Sequence, residues 1–351
     1  MIRRQFHACL LSPGDLQPSH DLLEVVGTFN PGAIALDGEV ILLVRVAERP
    51  RERRDGFTGL PRFDPDAGLT IDWVSNDEVE PVDPRVVQQK RDGLIRLNFI
   101  SHLRVVRSKD GRSVDSVGGP RFEPRTIYEE FGVEDPRITR IGDTCYFTYV
   151  AVSRHGAATA LASTRDFASF ERHGVIFHPE NKDVVLFGER IDGTYVALHR
   201  PNAATPFCVP EMWLARSPDL LHWGGHEYFL GGGSGWETGR IGAGTPPVRT
   251  EQGWLEIYHG NRQPTAPGEV GVYSAGALLL DLEDPRRILR HSEGAIMAPQ
   301  ADFEREGFVS NVVFPTGVVE RGDVLQVFYG AADAFTGVAE FSRDELMGAL
   351  G

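Results

Sequence analysis

RSKDG (107–111), STRDF (163–167) and RSPDL (216–220) share one grammar. Each places a Ser or Thr two residues before an Asp, directly after a strand-like run. The aspartates, Asp110, Asp166 and Asp219, are 56 and 53 residues apart. Two of the three turns lead to an aromatic residue a few positions on, Phe170 and Trp223. Units of several strands recurring every ~40–50 residues are the mark of a β-propeller. Dividing the chain of 351 residues by ~60–70 gives about five blades. The competing reading is a set of unrelated surface turns on an all-β sandwich.

The rest of the chain reads in the same way. EVILLVRVA (39–47), TCYFTYVAVS (144–153), GTYVALHR (193–200), GWLEIYHG (253–260), YSAGALLLDL (273–282) and VLQVFYGAAD (324–333) are short apolar runs bounded by Gly, Asp or Pro. Such runs are strands, and IGDTCYF, IDGTYVAL and ALDGEVILL read as hairpins. Gly and Pro together supply nearly 18% of the residues, as a chain of many turns requires. Helical periodicity is scarce. SRDELMGAL at the C-terminus is the one good helix, with Ser342 as N-cap and Glu345 at the capping-box position. The expected architecture is therefore all-β: a five-bladed β-propeller with a short C-terminal helix, one domain over residues 1–351. Its site is expected at the central channel.

Composition narrows the function. With 41% hydrophobic residues and no low-complexity tract, the chain is not disordered. A net charge of −14 argues against a phosphate backbone as partner, so no nucleic acid is expected. No apolar run is long enough to span a membrane, and MIRRQFHACLLSPGD lacks the apolar core of a secretory signal. Cys9, Cys145 and Cys208 are too few and too scattered for a disulfide framework. The expected compartment is the cytoplasm. The eleven His show no metal-ligand spacing, so no metal is expected. The basic residues are 33 Arg and only Lys90, Lys109 and Lys182. Base composition explains most of that bias, but guanidinium also grips oxyanions in two-pronged fashion.

GxSxG, Walker A, HExxH and a strand-borne GxGxxG are all absent. GGGSG (231–235) lacks the Lys that a phosphate loop needs and reads as a flexible loop. Two segments concentrate polar residues instead. In YEEFGVEDPRITRIGDTCYF (128–147), Glu134, Asp135 and Arg137 crowd around Pro136 before a strand. A neighbouring Arg holds one carboxylate ionised while burial raises another, an arrangement suited to a general acid. In WETGRIGAGTPPVRTEQGWLEIYHG (236–260), tight Gly/Pro backbone is flanked by Arg240 and His259 as anion donors.

EDPR (134–137), RIGAGTPPVRT (240–250) and GWLEIYHG (253–260) resemble glycoside hydrolase family 130, the β-mannoside phosphorylases and related β-mannosidases. VVGTFNPGAI (25–34), LLVRVAERP (42–50), FISHLRVVRSKDG (99–111), LARSPDLLHWGGHE (214–227) and FYGAAD (328–333) extend the resemblance nearly end to end. The SHLR, NKDV and SPDLLHWG segments most resemble the 1,2-β-oligomannan phosphorylase branch. The resemblance implies a five-bladed propeller and an inverting phosphorolysis. Inorganic phosphate, the co-substrate, attacks a terminal β-mannosyl unit and gives α-mannose 1-phosphate, with no other cofactor. It implies Asp135 as general acid and Arg154, Arg172, Arg240 and His259 as phosphate ligands. It implies Arg45 and Asp333 in the mannosyl pocket, with Asn30, Arg104, Glu134, Asp183 and His199 also facing substrate. Among Trp213, Trp223, Trp236 and Trp254, at most two are expected as sugar platforms. Arg240 stands where the family commonly has Lys. FGER at 187–190 and Asn98-Phe99 also depart from its pattern, which puts acceptor choice in doubt. The expected partners are a β-mannooligosaccharide and phosphate. The C-terminal helix suits packing on its own propeller or on a second subunit in a homo-oligomer. The alternatives are a hydrolase of the same family and a non-catalytic carbohydrate-binding propeller.

Overall fold

A computed structural model describes residues 1–202, 209–264 and 270–351. Cys208 lies outside the described residues. Strands dominate, and they form five four-stranded blades. Blade I holds Leu23–Leu36, Glu39–Pro50, Ile100–Ser108 and the short Ser116–Val117. Blade II holds Gly132–Ile141, Thr144–Ser153, Gly156–Thr164 and Glu171–Phe177. One parallel pairing, Gly132 with Ser101, links these two blades. Blade III holds Asn181–Leu186, Tyr195–Pro201, Met212–Ser217 and Gly224–Leu230. Blade IV holds Ile241–Ala243, Trp254–Arg262, Val272–Leu280 and Ile288–His291, with the two-residue Val248–Arg249 also paired to Trp254–Arg262. Blade V takes Val313–Arg321, Val324–Ala331 and Phe335–Ser342 from the C-terminal end and Phe6–Leu11 from the N-terminal end. Phe6 pairs with Glu340, so the ring closes by backbone hydrogen bonds between the two ends of the sheet order and leaves no open radial gap.

The core follows from this geometry. Each blade buries both faces, so each pair of neighbouring blades encloses its own apolar cluster. Ile41, Leu43, Phe147 and Tyr149 fill the gap between blades I and II. Val185, Leu198, Trp254 and Leu278 fill that between III and IV. Alternating apolar runs satisfy this demand, because successive residues of a strand face opposite neighbours.

The Ser/Thr-x-Asp repeat is the turn between the third and fourth strands of a blade. In blade II the Thr164 hydroxyl accepts from Phe167 N, and the Asp166 carboxylate accepts from Ala168 N and Ser169 N. Ser217 and Asp219 do the same in blade III, and Ser108 and Asp110 in blade I. Such side-chain to backbone bonds close a tight turn without a ladder. Asp281 repeats the carboxylate half in blade IV. In blade V the same Ser-x-Asp, Ser342 to Asp344, runs into the helix Arg343–Gly348, with Ser342 accepting from Glu345 N as N-cap. That helix buries Leu346 and Met347 against blades IV and V of its own propeller.

Blade I carries the main addition. Between its second and third strands the chain forms a hairpin, Phe57–Asp64 with Gly68–Ser75, and a three-stranded sheet, Val79–Asp83, Val86–Gln89 and Ile95–Leu97. This insertion brings Arg85, Val86 and Leu97 to the mouth of the central channel. Among the described residues, no helix is long and apolar enough to cross a membrane.

Candidate active site

The innermost strands of blades I, II and III share a device. Each breaks register at one polar residue held in the left-handed region: Asn30 (φ 49°), Asp135 (φ 49°) and Asp183 (φ 54°). A bulge lets a strand re-aim a side chain that the pleat would send into the blade interface. Asn and Asp tolerate this conformation better than other non-glycine residues. All three side chains point into one axial cavity of about 180 Å³. Asp333, also at positive φ (48°), enters from the turn after Val324–Ala331 of blade V. Gly330 makes room: a Cβ there would overlap the Asn30 side chain.

One wall of the cavity is a carboxylate cluster organised by Arg45. Its guanidinium donates to Asp135 Oδ1 at 2.9 Å, to Glu134 Oε1 at 2.7 Å and to Ser101 Oγ at 3.1 Å. The Phe29 and Phe99 rings flank it, with centroids 4.5 and 5.5 Å away. Asn30 Nδ2 donates to the same Asp135 oxygen at 2.8 Å. Burial pushes the Asp135 carboxyl up, but Arg45, Arg137, Asn30 and Lys182 outweigh it and hold the group below its usual range. Asp333 goes the other way: burial raises it, and Asp135 adds to the rise against Arg85 and Arg45. The inserted sheet reaches this cluster through Arg85, whose NH1 lies 3.3 Å from Asp333 Oδ2.

The opposite wall is cationic. Asp183 sits between Arg137 (3.0 Å) and Arg200 (2.9 Å). Burial pushes its carboxyl up, but Arg200 and Arg137, with Lys182, drive it far below the ordinary range. His259 is fully buried, and its pKa is pushed down to about 3 by burial first. Its ring is therefore neutral, and Nε2, 3.2 Å from Arg200 NH1, must be the acceptor because guanidinium only donates. This places the ring proton on Nδ1, so the 3.4 Å approach of Nε2 to Asp183 is not an ion pair. Lys182 and Arg240 complete the wall, and among the described residues neither side-chain cation has a carboxylate within salt-bridge distance.

Six of the residues expected from sequence besides Asp135 thus belong to or touch this cavity: Asn30, Arg45, Glu134, Asp183, Asp333 and Arg240 line it. His259 stands one layer behind, against Arg200 and the Phe314 ring. Four expectations are corrected. Arg154 is exposed and clamps Glu130 through Nε and NH2 (2.9 and 2.6 Å). Arg172 bonds Glu129 and stacks 3.7 Å from the Phe122 ring centroid, on the outer strand of blade II. In both, a local glutamate of the Tyr128-Glu129-Glu130 segment takes the charge before any ligand can. Arg104 is not among the residues that line the cavity, and burial first, then the charge of Arg121, depresses its pKa. His199 hydrogen-bonds Asn181 and His226 and stacks on Phe177. Arg154→Ala and Arg172→Ala are accordingly expected to leave the phosphate dependence of activity unchanged. Arg172→Ala alone lowers stability, because Glu129 (2% exposed) is left without its cation. Initial rates against phosphate concentration and a denaturant titration check both.

The sequence reading overlooked Arg200, Lys182, Arg85 and Tyr273, whereas Arg137 was singled out beside Asp135. Strand alternation was the available signal: Arg200 points opposite to its neighbour His199. None of the tryptophans lines the cavity; Trp254 is core (2% exposed) and Trp213 packs on Tyr228. Phe99 sits in the short link between Ile95–Leu97 and Ile100–Ser108, where it lines the cavity and supports Arg45.

A cavity with a buried Asp135 held by Arg45 and Asn30 on one wall, and guanidinium and ammonium groups on the other, fits the residues that carried the resemblance. The glycoside hydrolase family 130 model, that of β-1,4-mannooligosaccharide phosphorylase, matches residues 81–351. A β-1,2-mannobiose phosphorylase of Listeria innocua is 39% identical over 96% of this chain and 95% of its own length. The chain belongs to glycoside hydrolase family 130. Within the family, a 1,2-β-oligomannan phosphorylase of a Thermoanaerobacter species is 37% identical over 69% of this chain and 78% of the relative. The solved structure of the Listeria innocua β-1,2-mannobiose phosphorylase in complex with β-1,2-mannobiose superposes with a TM-score of 0.91 at 38% identity. That match covers 97% of this chain and 96% of that one. The family fold, the five-bladed propeller, is the one described above.

Proposed function

We propose that this family 130 chain is an inverting phosphorylase of β-1,2-linked mannooligosaccharides, with α-mannose 1-phosphate and the shortened sugar as products. The observation that carries this reading is the division of the cavity. Arg45 neutralises the carboxylate wall and Asp183 engages Arg137 and a single nitrogen of Arg200, which leaves Lys182, Arg240 and the other nitrogens of Arg200 to hold an anion. A water-using inverting enzyme instead needs a carboxylate free to act as base, about 6.5–9.5 Å from the acid. Phosphate needs no base, because it is already a nucleophile. The names of the relatives favour the 1,2 linkage: those at 39% and 37% identity act on β-1,2-mannosides, whereas a β-1,4-mannooligosaccharide phosphorylase of Ruminococcus albus is 33% identical over 61% of this chain.

In the proposed mechanism the terminal mannosyl unit lies between the two walls. Phosphate, held by Lys182, Arg240 and Arg200, attacks the anomeric carbon from the face opposite the leaving oxygen, which inverts the configuration. His259 acts through Arg200 as its positioning residue. Asp135 supplies the proton that the leaving oxygen takes up, directly or through a sugar hydroxyl. Arg45 holds the empty site's Asp135 ionised. The negative charge of bound phosphate and the exclusion of water by the sugar both raise its proton affinity. The acid is thus loaded when both substrates are present. Among the described residues, no group of three or more His, Cys, Asp or Glu is placed to hold a metal.

The cation wall supplies the test. Each charge-assisted bond to phosphate contributes about 1.5–3 kcal/mol. Lys182→Ala and Arg240→Ala are therefore each expected to raise the phosphate KM by about 10–100-fold, with a smaller change in the mannoside KM. Initial rates at varied phosphate and saturating mannoside read this out. Unchanged phosphate KM in both variants would remove the cradle from this wall.

A further inference from the structure

Arg137 is buried (1% exposed) and does not line the cavity, yet it is bonded to both of the cavity's walls. The bulge that turns Asp135 inward leaves that residue without a partner in the strand ladder, and Pro136 has no N–H to offer. Arg137 NH1 donates to the Asp135 carbonyl at 2.9 Å. NH2 of the same guanidinium donates to Asp183 Oδ1 at 3.0 Å, and Nε lies 3.4 Å from Gly244 O. One rigid, planar group thus joins the inner edges of blades II, III and IV. Gly244 is fixed in turn. Its N–H donates to Glu256 Oε1 at 3.1 Å, and a Cβ on it would overlap Ile257 O. Glu256 is fully buried, and burial pushes its carboxyl well up, so it stays neutral. Among the described residues, Asp183 is the one carboxylate within salt-bridge distance of Arg137.

We propose that Arg137 is a positioning residue of the reaction: it fixes Asp135 relative to the cation wall, and it takes up the charge of Asp183 so that Lys182 and Arg200 stay available to phosphate. The two effects belong to different atoms. The NH1 bond acts on distance. The Asp135 carboxylate is aimed by a backbone at φ 49°, and NH1 holds the carbonyl of that same residue. A misplacement of ~1 Å at a reacting group costs about 10²-fold in rate. The NH2 bond acts on charge. Without it, Asp183 turns its whole charge on Arg200, 2.9 Å away, and on Lys182 beside it in the chain. Those are the cations that phosphate needs. The role rests on the function proposed above.

Calorimetric titration of the full-length protein with inorganic phosphate, together with steady-state kinetics on β-1,2-mannobiose, separates the two effects. Arg137→Met removes the charge and the fork. It is expected to lower kcat by about 10²-fold, with the mannobiose KM unchanged. It should also weaken phosphate binding by about tenfold, the worth of one charge-assisted contact. Arg137→Lys keeps the charge but offers a single point in place of a fork. It should lower kcat to the same extent while phosphate affinity stays near the parent value. In an Asp183→Asn background there is no charge to take up, so adding Arg137→Met should lower kcat and leave phosphate affinity unchanged. That double variant replaces a buried ion pair by neutral groups, so it carries the kcat readout if melting curves show Arg137→Met alone to be unfolded. Parent-like kcat in the folded Arg137 variants would overturn the positioning role. An equal loss of phosphate affinity with and without Asp183→Asn would overturn the charge role. Either result beside phosphate-dependent turnover in the parent overturns this inference alone, whereas a parent that binds no phosphate overturns the proposed function with it.

Discussion

Asp135→Asn is expected to lower the rate of phosphorolysis by about 10²–10⁴-fold, the share that a positioned proton donor contributes. The fold should survive. Asn tolerates the left-handed backbone that the bulge imposes at this position (φ 49°). Its amide oxygen can still accept from Asn30 and from Arg45, which keeps Glu134 as its ionic partner. Only the proton is missing, so the deficit belongs to kcat and not to the KM of either substrate. Steady-state kinetics with β-1,2-mannobiose, alongside a melting curve, measures both. A variant that retains more than a tenth of the parent kcat would assign the proton to another group, and Asp333, whose carboxyl is raised by burial, is the next candidate.

Arg45→Met should be the most damaging single change to stability. It removes the one cation that touches both Glu134 and Asp135, two side chains that are 5% and 8% exposed. Breaking a buried pair from one side costs about 3–5 kcal/mol, because the remaining charge stays desolvated. The pH dependence identifies the cause. In the parent, burial raises Asp135 and Arg45 with its neighbours more than reverses this, so the folded state favours the carboxylate. That stability is present above the unfolded pKa and is lost as pH falls through the folded one. Without Arg45 the balance inverts: burial dominates and the folded pKa lies above the unfolded one. The variant should then gain stability relative to the parent as pH falls from 7 toward about 4, where the buried carboxyl takes up its proton. Urea titrations at pH 7 and pH 5 measure the difference, and a deficit independent of pH would assign the loss to packing between Phe29 and Phe99.

The fold was legible because its information is local and repeated. Alternating apolar runs, Gly/Asp hairpins and the Ser/Thr-x-Asp turn each encode one step of a blade, and the turn recurs at Asp110, Asp166 and Asp219 because the same inter-strand geometry recurs. Even the copy that passed unnoticed, Ser342 with Asp344, follows the rule. The carboxylate wall was legible for a related reason. Asn30-Pro31 and Asp135-Pro136 mark bulges, and polar residues at bulges on inner strands have nowhere to point but the channel. The cation wall was not. Whether an Arg is spent on a neighbour or left for a ligand depends on which glutamate folds against it. Glu129 and Glu130 lie 43 and 24 residues from the Arg172 and Arg154 they engage. His199 and Arg200 show the other limit. A strand inverts its facing with every residue, so an error of one position exchanges a channel residue for one in the blade interface.

The central claim is that bound inorganic phosphate, not water, takes the mannosyl group. The measurement that addresses it most directly is product analysis after incubating the purified protein with β-1,2-mannobiose, with and without phosphate, by proton and phosphorus NMR. With phosphate, α-mannose 1-phosphate and mannose should appear in equal amounts, and without it neither should form at a comparable rate. Mannose released at the same rate in both reactions, with no sugar phosphate, would contradict the account.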